Sequence, residues 1–249
     1  MVVNKFSSVL IGLVCLLSAC TVQHISKTDV NYTIVRKESA AAEKPEVTAA
    51  IAPYKVQLDA EMNEVIGNVP VQLTKQRPES TLGNWSADVA LEHLRKEGFE
   101  VDFAILNYGG LRVPYITQGP LTRGEIFELA PFDNILVIMD VPGAVLDSAL
   151  QLIAQSEGWP VSKGVKLVLS GKKLVSAQLL GQPLKPTKIY KVATVDYVAT
   201  GGDEMKMLIP LSRKNTNILF RDALLAYVKS ITAEGKPITS SIEGRISVQ

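Results

Sequence analysis

Apolar positions recur at helical spacing in several segments of the chain. In residues 82–97 the side chains Trp85, Val89 and Leu94 fall on one face of a predicted helix. A shorter helix is predicted at 121–130, where Thr122 and Glu125 have the spacing of a capping box. The same periodicity predicts helices at 51–65 (with Gly67 as its stop), 142–155 and 220–231.

Other segments have the pattern of strands. Residues 69–75 alternate between apolar and polar positions, and residues 135–141 form a continuous apolar run typical of a buried strand. Further strands are predicted at 102–107, 165–171, 173–180, 188–199 and 243–249. Because helices and strands are interleaved along the chain, the predicted fold is mixed α and β.

The first residues have the pattern of a targeting segment. Lys5 precedes an apolar run at 9–17 that is too short to span a bilayer comfortably, and small residues then lead to Cys20. This pattern is typical of a bacterial lipoprotein signal, with Cys20 as the lipidated first residue of the mature chain. The alternative is an ordinary secretory signal with a chance cysteine.

These observations predict three parts of the chain. Residues 1–19 are a signal peptide, residues 20–50 a lipid-anchored tether with an uncertain strand at 28–36, and residues 51–249 the folded domain. The protein is expected in the bacterial cell envelope, anchored to a membrane by lipid and facing the periplasm or the exterior.

Charge and cysteine content narrow the possible functions. The 249 residues carry 26 Lys and Arg against 25 Asp and Glu, with no basic stripe, which argues against a nucleic-acid partner. The two cysteines are Cys15 and Cys20, and Cys15 lies in the segment predicted to be removed. No disulfide is therefore expected in the mature domain.

The residues that self-contained hydrolysis would need are scarce. The two histidines are His24, in the predicted tether, and His93, in the middle of a predicted helix, where a structural role is expected. The chain has no HExxH, GxSxG, P-loop or GxGxxG motif. No catalytic residue, metal ligand or cofactor site is predicted within this chain.

Three polar turns carry the candidate chemistry: NYGGLR (107–112), APFDN (130–134) and VDYVATGGDE (195–204). Phe132 and Tyr197 can clamp a flat ring between them. Asn107 offers an amide and Arg112 a planar fork for anions, and the Asp203 carboxylate can accept hydrogen bonds from a vicinal diol. Taken singly, each motif is more often an ordinary turn or a core aromatic residue, so the prediction depends on their joint presence and order.

These turns resemble motifs in the C-terminal domain of the 5′-nucleotidases, and so do the longer segments GPLTRGEIFELAPFDN and DYVATGGDEM. The family includes periplasmic UDP-sugar hydrolases and animal ecto-5′-nucleotidase. The resemblance covers roughly residues 55–249. It implies a layered α/β/β/α domain that binds the nucleoside part of a nucleotide. It also implies the substrate-binding residues Asn107, Gly109, Gly110, Arg112, Phe132, Tyr197, Asp203 and, upstream, Arg77.

The sequence departs from the family pattern at four positions. Tyr108 replaces a glycine of the NGGGIR turn, and Asp133 replaces the glycine of the PFGN turn. Tyr197 replaces a phenylalanine, and Glu204 replaces the last glycine of GGDG. The resemblance therefore implies a retained nucleoside pocket, whose specificity these four positions leave open.

The family's two-metal phosphoesterase half has no counterpart before residue 55. We therefore expect the chain to bind the substrate in its pocket while a separately encoded metallophosphatase subunit, which holds divalent metals, cleaves it. The alternative is a non-catalytic binding or scaffold lipoprotein with a vestigial pocket. A third possibility is a gene fragment of a once-fused enzyme.

Overall fold

The structure, a computed structural model, describes residues 44–249, and its first element is helix α1, Pro45–Met62. The predicted signal peptide, Cys20, His24 and the uncertain strand at 28–36 lie outside these residues. Helix α1 begins within the segment predicted as tether and buries none of its side chains. A compact unit runs from Ile51 to Gln249.

A four-stranded sheet positions the candidate site. Its strands are β3 (Phe103–Ala104), β6 (Ile135–Pro142), β10 (Ile189–Val195) and β11 (Arg213–Leu219), and their order is β11-β6-β10-β3. Strand β10 runs parallel to β3 and antiparallel to β6. The ends of β3 and β10 and the start of β6 therefore lie at the same edge of the sheet, where the three polar turns are attached.

A second four-stranded sheet lies later in the chain. Its strands are β7 (Val165–Ser170), β8 (Lys173–Leu179), β9 (Gln182–Pro183) and β12 (Ile246–Val248), in the order β12-β7-β8-β9. Two antiparallel pairs complete the described strands: β1 (Val65–Val69) with β5 (Gly119–Thr122), and β2 (Leu73–Thr74) with β4 (Tyr115–Ile116).

Helices pack on these sheets to close an apolar core. They are α2 (Thr81–Lys96), α3 (Arg123–Leu129), α4 (Gly143–Gln155), α5 (Asp196–Ala199) and α6 (Phe220–Ala233). Helix α2 packs against α6, and α4 packs against β6 and β8. The predicted capping box of α3 is confirmed, because Thr122 and Glu125 exchange both hydrogen bonds. The predicted mixed α/β layered fold is also confirmed.

Several predicted boundaries are wrong. The helix predicted at 51–65 ends at Met62, and Gly67 lies in β1 instead of ending that helix. A Cβ at Gly67 would lie 2.8 Å from Ile238 Cδ1, so close packing explains this glycine. The strand predicted at 69–75 is divided between β1 and β2, with Pro70 between them.

Two further differences concern the central sheet. The strand predicted at 188–199 ends at Val195, and Asp196–Ala199 form helix α5. Strand β11 has no counterpart among the sequence predictions, because it is an edge strand with mostly exposed polar residues and lacks apolar alternation.

Candidate functional site

The three polar turns meet around one cavity of about 270 Å³ at the edge of the central sheet. The cavity is lined by Asn107, Gly109, Gly110, Arg112, Phe132, Asn134, Tyr197 and Asp203. The structure thus brings together every predicted site residue except Arg77, and it adds Asn134.

The two aromatic residues present open ring surfaces to solvent. Phe132 is 47% exposed and Tyr197 is 45% exposed, although both are large side chains that a folded domain normally covers. The Arg112 guanidinium lies 5.5 Å from the centroid of the Phe132 ring and donates a hydrogen bond to the Gly109 carbonyl at 3.2 Å. The Phe132 ring therefore lies beside a cationic group.

Asp203 is held in place by hydrogen bonds to both of its carboxylate oxygens. Asn107 Nδ2 donates to Oδ2 at 2.9 Å, and the Tyr197 hydroxyl donates to Oδ1 at 3.1 Å. An ionised carboxylate accepts about four hydrogen bonds, so about two acceptor positions remain for a ligand. The tyrosine hydroxyl thus gives Tyr197 a second contact that a phenylalanine would lack.

Close contacts with neighbouring side chains require glycine at two positions of the site. A Cβ at Gly110 would lie 2.7 Å from Asn107 Oδ1, and a Cβ at Gly202 would lie 2.5 Å from the Tyr197 ring. A side chain at either position would displace Asn107 or Tyr197 from its contact with Asp203. These glycines therefore serve the site through close packing.

Arg221 holds the turn that carries Phe132, and the sequence analysis missed it. Its guanidinium donates to the carbonyl oxygens of Ala130, Pro131 and Phe132 at 3.2–3.4 Å and pairs with the Asp133 carboxylate at 2.6 Å. The negative charge that Asp133 adds is therefore compensated. No local signal links Arg221, on α6, to a turn some ninety positions earlier in the chain.

Tyr108 points its ring at two cations and does not line the cavity. Lys75 Nζ and Arg77 Cζ each lie 4.1 Å from the ring centroid. Burial, together with the charges of Arg112 and Arg77, holds the pKa of the Lys75 ammonium below its usual value. Arg77 also lies 4.0 Å from the Glu157 carboxylate. Arg77 is not among the residues that line the cavity, and its predicted role in substrate binding stays a prediction.

Glu204 occupies a backbone conformation that favours glycine. Its φ is 65°, and that of the preceding Asp203 is 50°. The left-handed region costs a residue with a side chain roughly 1–2 kcal/mol, while Asp and Asn tolerate it better. The hydrogen bond from Lys206 at 2.8 Å lowers the pKa of the Glu204 carboxyl. Glu204 is not among the residues that line the cavity.

The described part of the chain offers neither a cluster of metal ligands nor a membrane span. Within residues 44–249 no three His, Cys, Asp or Glu side chains are grouped in a way that could hold a metal ion. His93 lies on α2, where burial lowers its pKa, and it faces a groove shared with Tyr227 instead of the cavity. No helix among these residues has the length and apolarity needed to cross a membrane.

Comparison with known families gives a match over residues 64–209 to the 5′-nucleotidase, C-terminal domain family. Protein UshA of Yersinia enterocolitica is 29% identical over 197 residues, which are 76% of this chain and 35% of UshA. Cell wall protein Lmo0130 of Listeria monocytogenes is 29% identical over 230 residues, covering 80% of this chain and 29% of that protein.

A solved structure is similar over the same region. The 5′-nucleotidase precursor of Thermus thermophilus superposes with a TM-score of 0.70 at 29% identity, covering 85% of this chain and 44% of that chain. The chain therefore spans about a third of the curated relatives it matches and less than half of this solved structure.

Proposed function

The chain belongs to the 5′-nucleotidase C-terminal domain family, and from this premise we propose that its cavity binds the nucleoside part of a nucleotide. One observation carries the proposal: two exposed aromatic rings, an ordered carboxylate and an arginine, from three separate turns, line the same cavity. Each group has a counterpart in a nucleotide: the rings in the base, the carboxylate in the ribose hydroxyls and the arginine in the phosphate.

In this proposal the base stacks between Phe132 and Tyr197. Stacking of a base on an aromatic side chain is tolerant of base identity, because every base has a π face. The two free acceptor positions of Asp203 take the ribose hydroxyls, while Asn107 and Tyr197 hold the carboxylate in position. Arg112 faces the phosphate that follows the ribose.

We propose further that cleavage of the phosphate bond requires metals from a separate metallophosphatase subunit. Two metal ions held by that partner would polarise the phosphate and generate the attacking hydroxide. The residues of this chain would bind and orient the nucleotide, which raises the rate by positioning.

The place of action that fits this proposal is the cell envelope. The name of Lmo0130 describes a cell wall protein, and the apolar segment ending at Cys20 has the lipoprotein pattern. We propose that lipid on Cys20 anchors the chain to a membrane. A Cys20→Ser variant should then move from the membrane fraction to the soluble fraction, and its retention on the membrane would contradict the anchor.

A vestigial pocket is the competing proposal. The carboxylates that Asp133 and Glu204 add near the site would favour it. The pairing of Asp133 with Arg221 and of Glu204 with Lys206 offsets both charges. Phe132, Tyr197 and Asp203 line one cavity, with Asp203 held by hydrogen bonds, and this supports a functional pocket.

The first prediction concerns the aromatic clamp. Phe132→Ala should weaken nucleoside binding by about fivefold or more, since base–aromatic stacking contributes roughly 1–3 kcal/mol per base. Titration calorimetry of the purified protein with adenosine and with uridine measures the dissociation constants.

Tyr54→Ala is the matched control, because Tyr54 is an exposed aromatic residue on α1 and alanine suits a helix. Its dissociation constants should equal those of the wild type. Absence of nucleoside binding in the wild type, or equal binding by Phe132→Ala, would favour the vestigial pocket.

A further inference from the structure

Lysines are concentrated in the segment that forms most of the second sheet. Residues 163–191 hold seven of the 26 Lys and Arg residues and none of the 25 Asp and Glu residues. The rest of the chain therefore carries 19 basic against 25 acidic residues, a net charge of −6. The chain is close to neutral as a whole, yet its charge is unevenly distributed. The seven lysines are Lys163, Lys166, Lys172, Lys173, Lys185, Lys188 and Lys191.

Most of these lysines are not neutralised by a neighbouring acid. Lys163 pairs with Asp88 at 3.7 Å, and Lys191 pairs with Glu100. The other five are exposed to solvent and form no ion pair within residues 44–249. A surface that carries several unpaired charges of one sign attracts a partner of the opposite sign, so the complementary partner is an anion.

Strand register places two of the unpaired lysines on the solvent face of the second sheet. Buried and exposed positions alternate along β7, so Lys166 and Ser170 point away from the core. Ser170 pairs with Lys173 of β8, and residues paired across a ladder point to the same face. Lys166 and Lys173 therefore share the solvent face.

A third lysine joins this face beyond the end of β9. The backbone N–H of Leu184 donates to the Ala177 carbonyl at 3.0 Å, which extends the pairing of β8 with β9 by one residue. Because successive residues of a strand alternate between faces, Lys185 falls on the solvent face. We call this surface the lysine face, made up of Lys166, Lys173 and Lys185.

An exposed leucine lies in the hairpin turn beside the lysine face. Leu180 and Gly181 join β8 to β9, and both have positive φ, at 54° and 75°. Such turns favour Asn-Gly or Asp-Gly, because a Cβ disfavours the left-handed region. Leu180 lies over Gly164, yet 42% of its surface is exposed. Neither turn chemistry nor burial explains a leucine here, and this points to an apolar partner outside the described residues.

A second apolar side chain is exposed within β8. The register shifts by one residue between Val168 and Leu169, and Val175 is the unpaired residue of the resulting bulge. It is 51% exposed. Lysines interspersed with exposed aliphatic side chains are typical of surfaces that bind at the bilayer interface. Their ammonium groups attract anionic headgroups, and the aliphatic groups enter the boundary with the acyl chains.

The residue types favour a lipid surface over a nucleic acid. Nucleic-acid recognition typically uses the planar fork of arginine and aromatic rings for stacking, whereas the segment has lysines and no arginine. The proposed lipid on Cys20 would keep the domain close to such a surface. The 24 residues between Cys20 and Pro45 span at most about 80 Å.

We propose that the lysine face, together with Val175 and Leu180, docks on an anionic bilayer surface. The ammonium groups contact lipid phosphates, and the two aliphatic side chains enter the headgroup boundary. This interaction goes beyond the proposed function, because the nucleoside cavity lies at the edge of the other sheet. It does not require lipid on Cys20.

The test is co-sedimentation of the full-length chain carrying Cys20→Ser, which cannot be lipidated, with lipid vesicles. One set is phosphatidylcholine, and the other is an equal mixture of phosphatidylcholine and phosphatidylglycerol. The anionic vesicles should bind at least about tenfold more tightly at low salt, and added salt should weaken this preference. Lys166→Gln, Lys173→Gln and Lys185→Gln together should remove most of it, since each lysine near the surface contributes about fivefold.

A matched triple variant controls for net charge. Lys55→Gln, Lys229→Gln and Lys236→Gln together remove the same charge from exposed lysines outside residues 163–191, each of which has an acidic neighbour. This variant should bind anionic vesicles nearly as tightly as the parent chain. An equal loss in both triple variants would show that binding follows net charge alone and would overturn the lysine face.

Leu180→Asn separates membrane insertion from folding. Asparagine suits the positive φ of the turn, so urea unfolding should show stability equal to or above that of the parent chain. Affinity for anionic vesicles should nevertheless fall by about fivefold, because part of an apolar side chain no longer leaves water. Unchanged affinity would overturn the role given to Leu180.

Two further results would overturn the bilayer as partner. One is equal binding to neutral and anionic vesicles. The other is binding of polyglutamate as tight as that of the vesicles and insensitive to Leu180→Asn, which would identify an acidic polypeptide as the partner. Nucleoside titration of the lysine-face variants should match the parent chain, so failure of the bilayer proposal and failure of the nucleoside pocket are distinguishable.

Discussion

Arg221 and Asp133 form an ion pair whose two members differ sharply in their surroundings. The Arg221 side chain is 10% exposed, while that of Asp133 is 78% exposed. Arg221 also binds three consecutive carbonyl oxygens of the turn that carries Phe132. The arginine is therefore a positioning residue for the aromatic clamp, and the aspartate adds an exposed charge contact.

This asymmetry predicts unequal effects of substitution. Arg221→Met should lower the free energy of unfolding by about 1–3 kcal/mol, because it leaves partly buried carbonyl groups without donors. Asp133→Asn should lower the free energy of unfolding by less than about 1 kcal/mol, because exposed ion pairs contribute little to stability. Urea unfolding measures both values.

Nucleoside titration gives the corresponding functional comparison. Arg221→Met should weaken binding by releasing the Phe132 turn, and Asp133→Asn should change binding little. Equal losses for the two variants would contradict a positioning role for Arg221.

At the scale of secondary-structure elements, local signals succeeded where the interaction itself is local. The capping box at the start of α3 joins side chains three residues apart, so Thr122 and Glu125 could be identified from spacing alone. Gly67 was misassigned because its role depends on Ile238, which packs against it from a distant part of the chain. The same applies to β11, whose place depends on pairing with β6.

The capping box supplies a prediction at this scale. Thr122→Ala should lower the free energy of unfolding by about 1 kcal/mol, since an unpaired N–H is left in the first turn of α3. Thr122→Ser keeps the hydroxyl and should stay near the wild type. Chemical unfolding curves measure the stability of Thr122→Ala and Thr122→Ser. Equal curves for the two variants would mean that the cap does not contribute to stability.

At the scale of the whole molecule, the chain corresponds to about a third of the curated relatives that it matches. Our proposal of a separate metallophosphatase subunit places the pocket and the metal centre on different polypeptides. Such an arrangement requires the partner to reach the phosphate that Arg112 is proposed to face.

This arrangement predicts that the purified chain, incubated with AMP and Mg²⁺, Mn²⁺ or Zn²⁺, releases no phosphate above the no-protein control. In this proposal, hydrolysis would need a hydroxide activated by metals that the partner would hold. A colorimetric phosphate assay measures the rate of phosphate release. Clear turnover by this chain alone would contradict the proposal that a separate metallophosphatase subunit is required.

The complementary experiment is a pull-down from the native membrane. A metallophosphatase should co-purify with the chain, and adding it back should restore phosphate release. Phe132→Ala should lower the restored rate while leaving the co-purification intact, which separates substrate binding from subunit assembly.

Sequence alone determined the chemistry that the chain can offer: the identities of Asn107, Arg112, Phe132, Tyr197 and Asp203, the interleaved helices and strands, and the local caps and turns. These follow from residue type and short-range spacing. The tertiary structure decided which groups meet. Strand order places three distant turns at one sheet edge, lets Arg221 hold the Phe132 turn, and stacks Lys75 and Arg77 on Tyr108. Periodicity along the chain does not predict such long-range contacts, because contacts between distant segments depend on how the whole core packs.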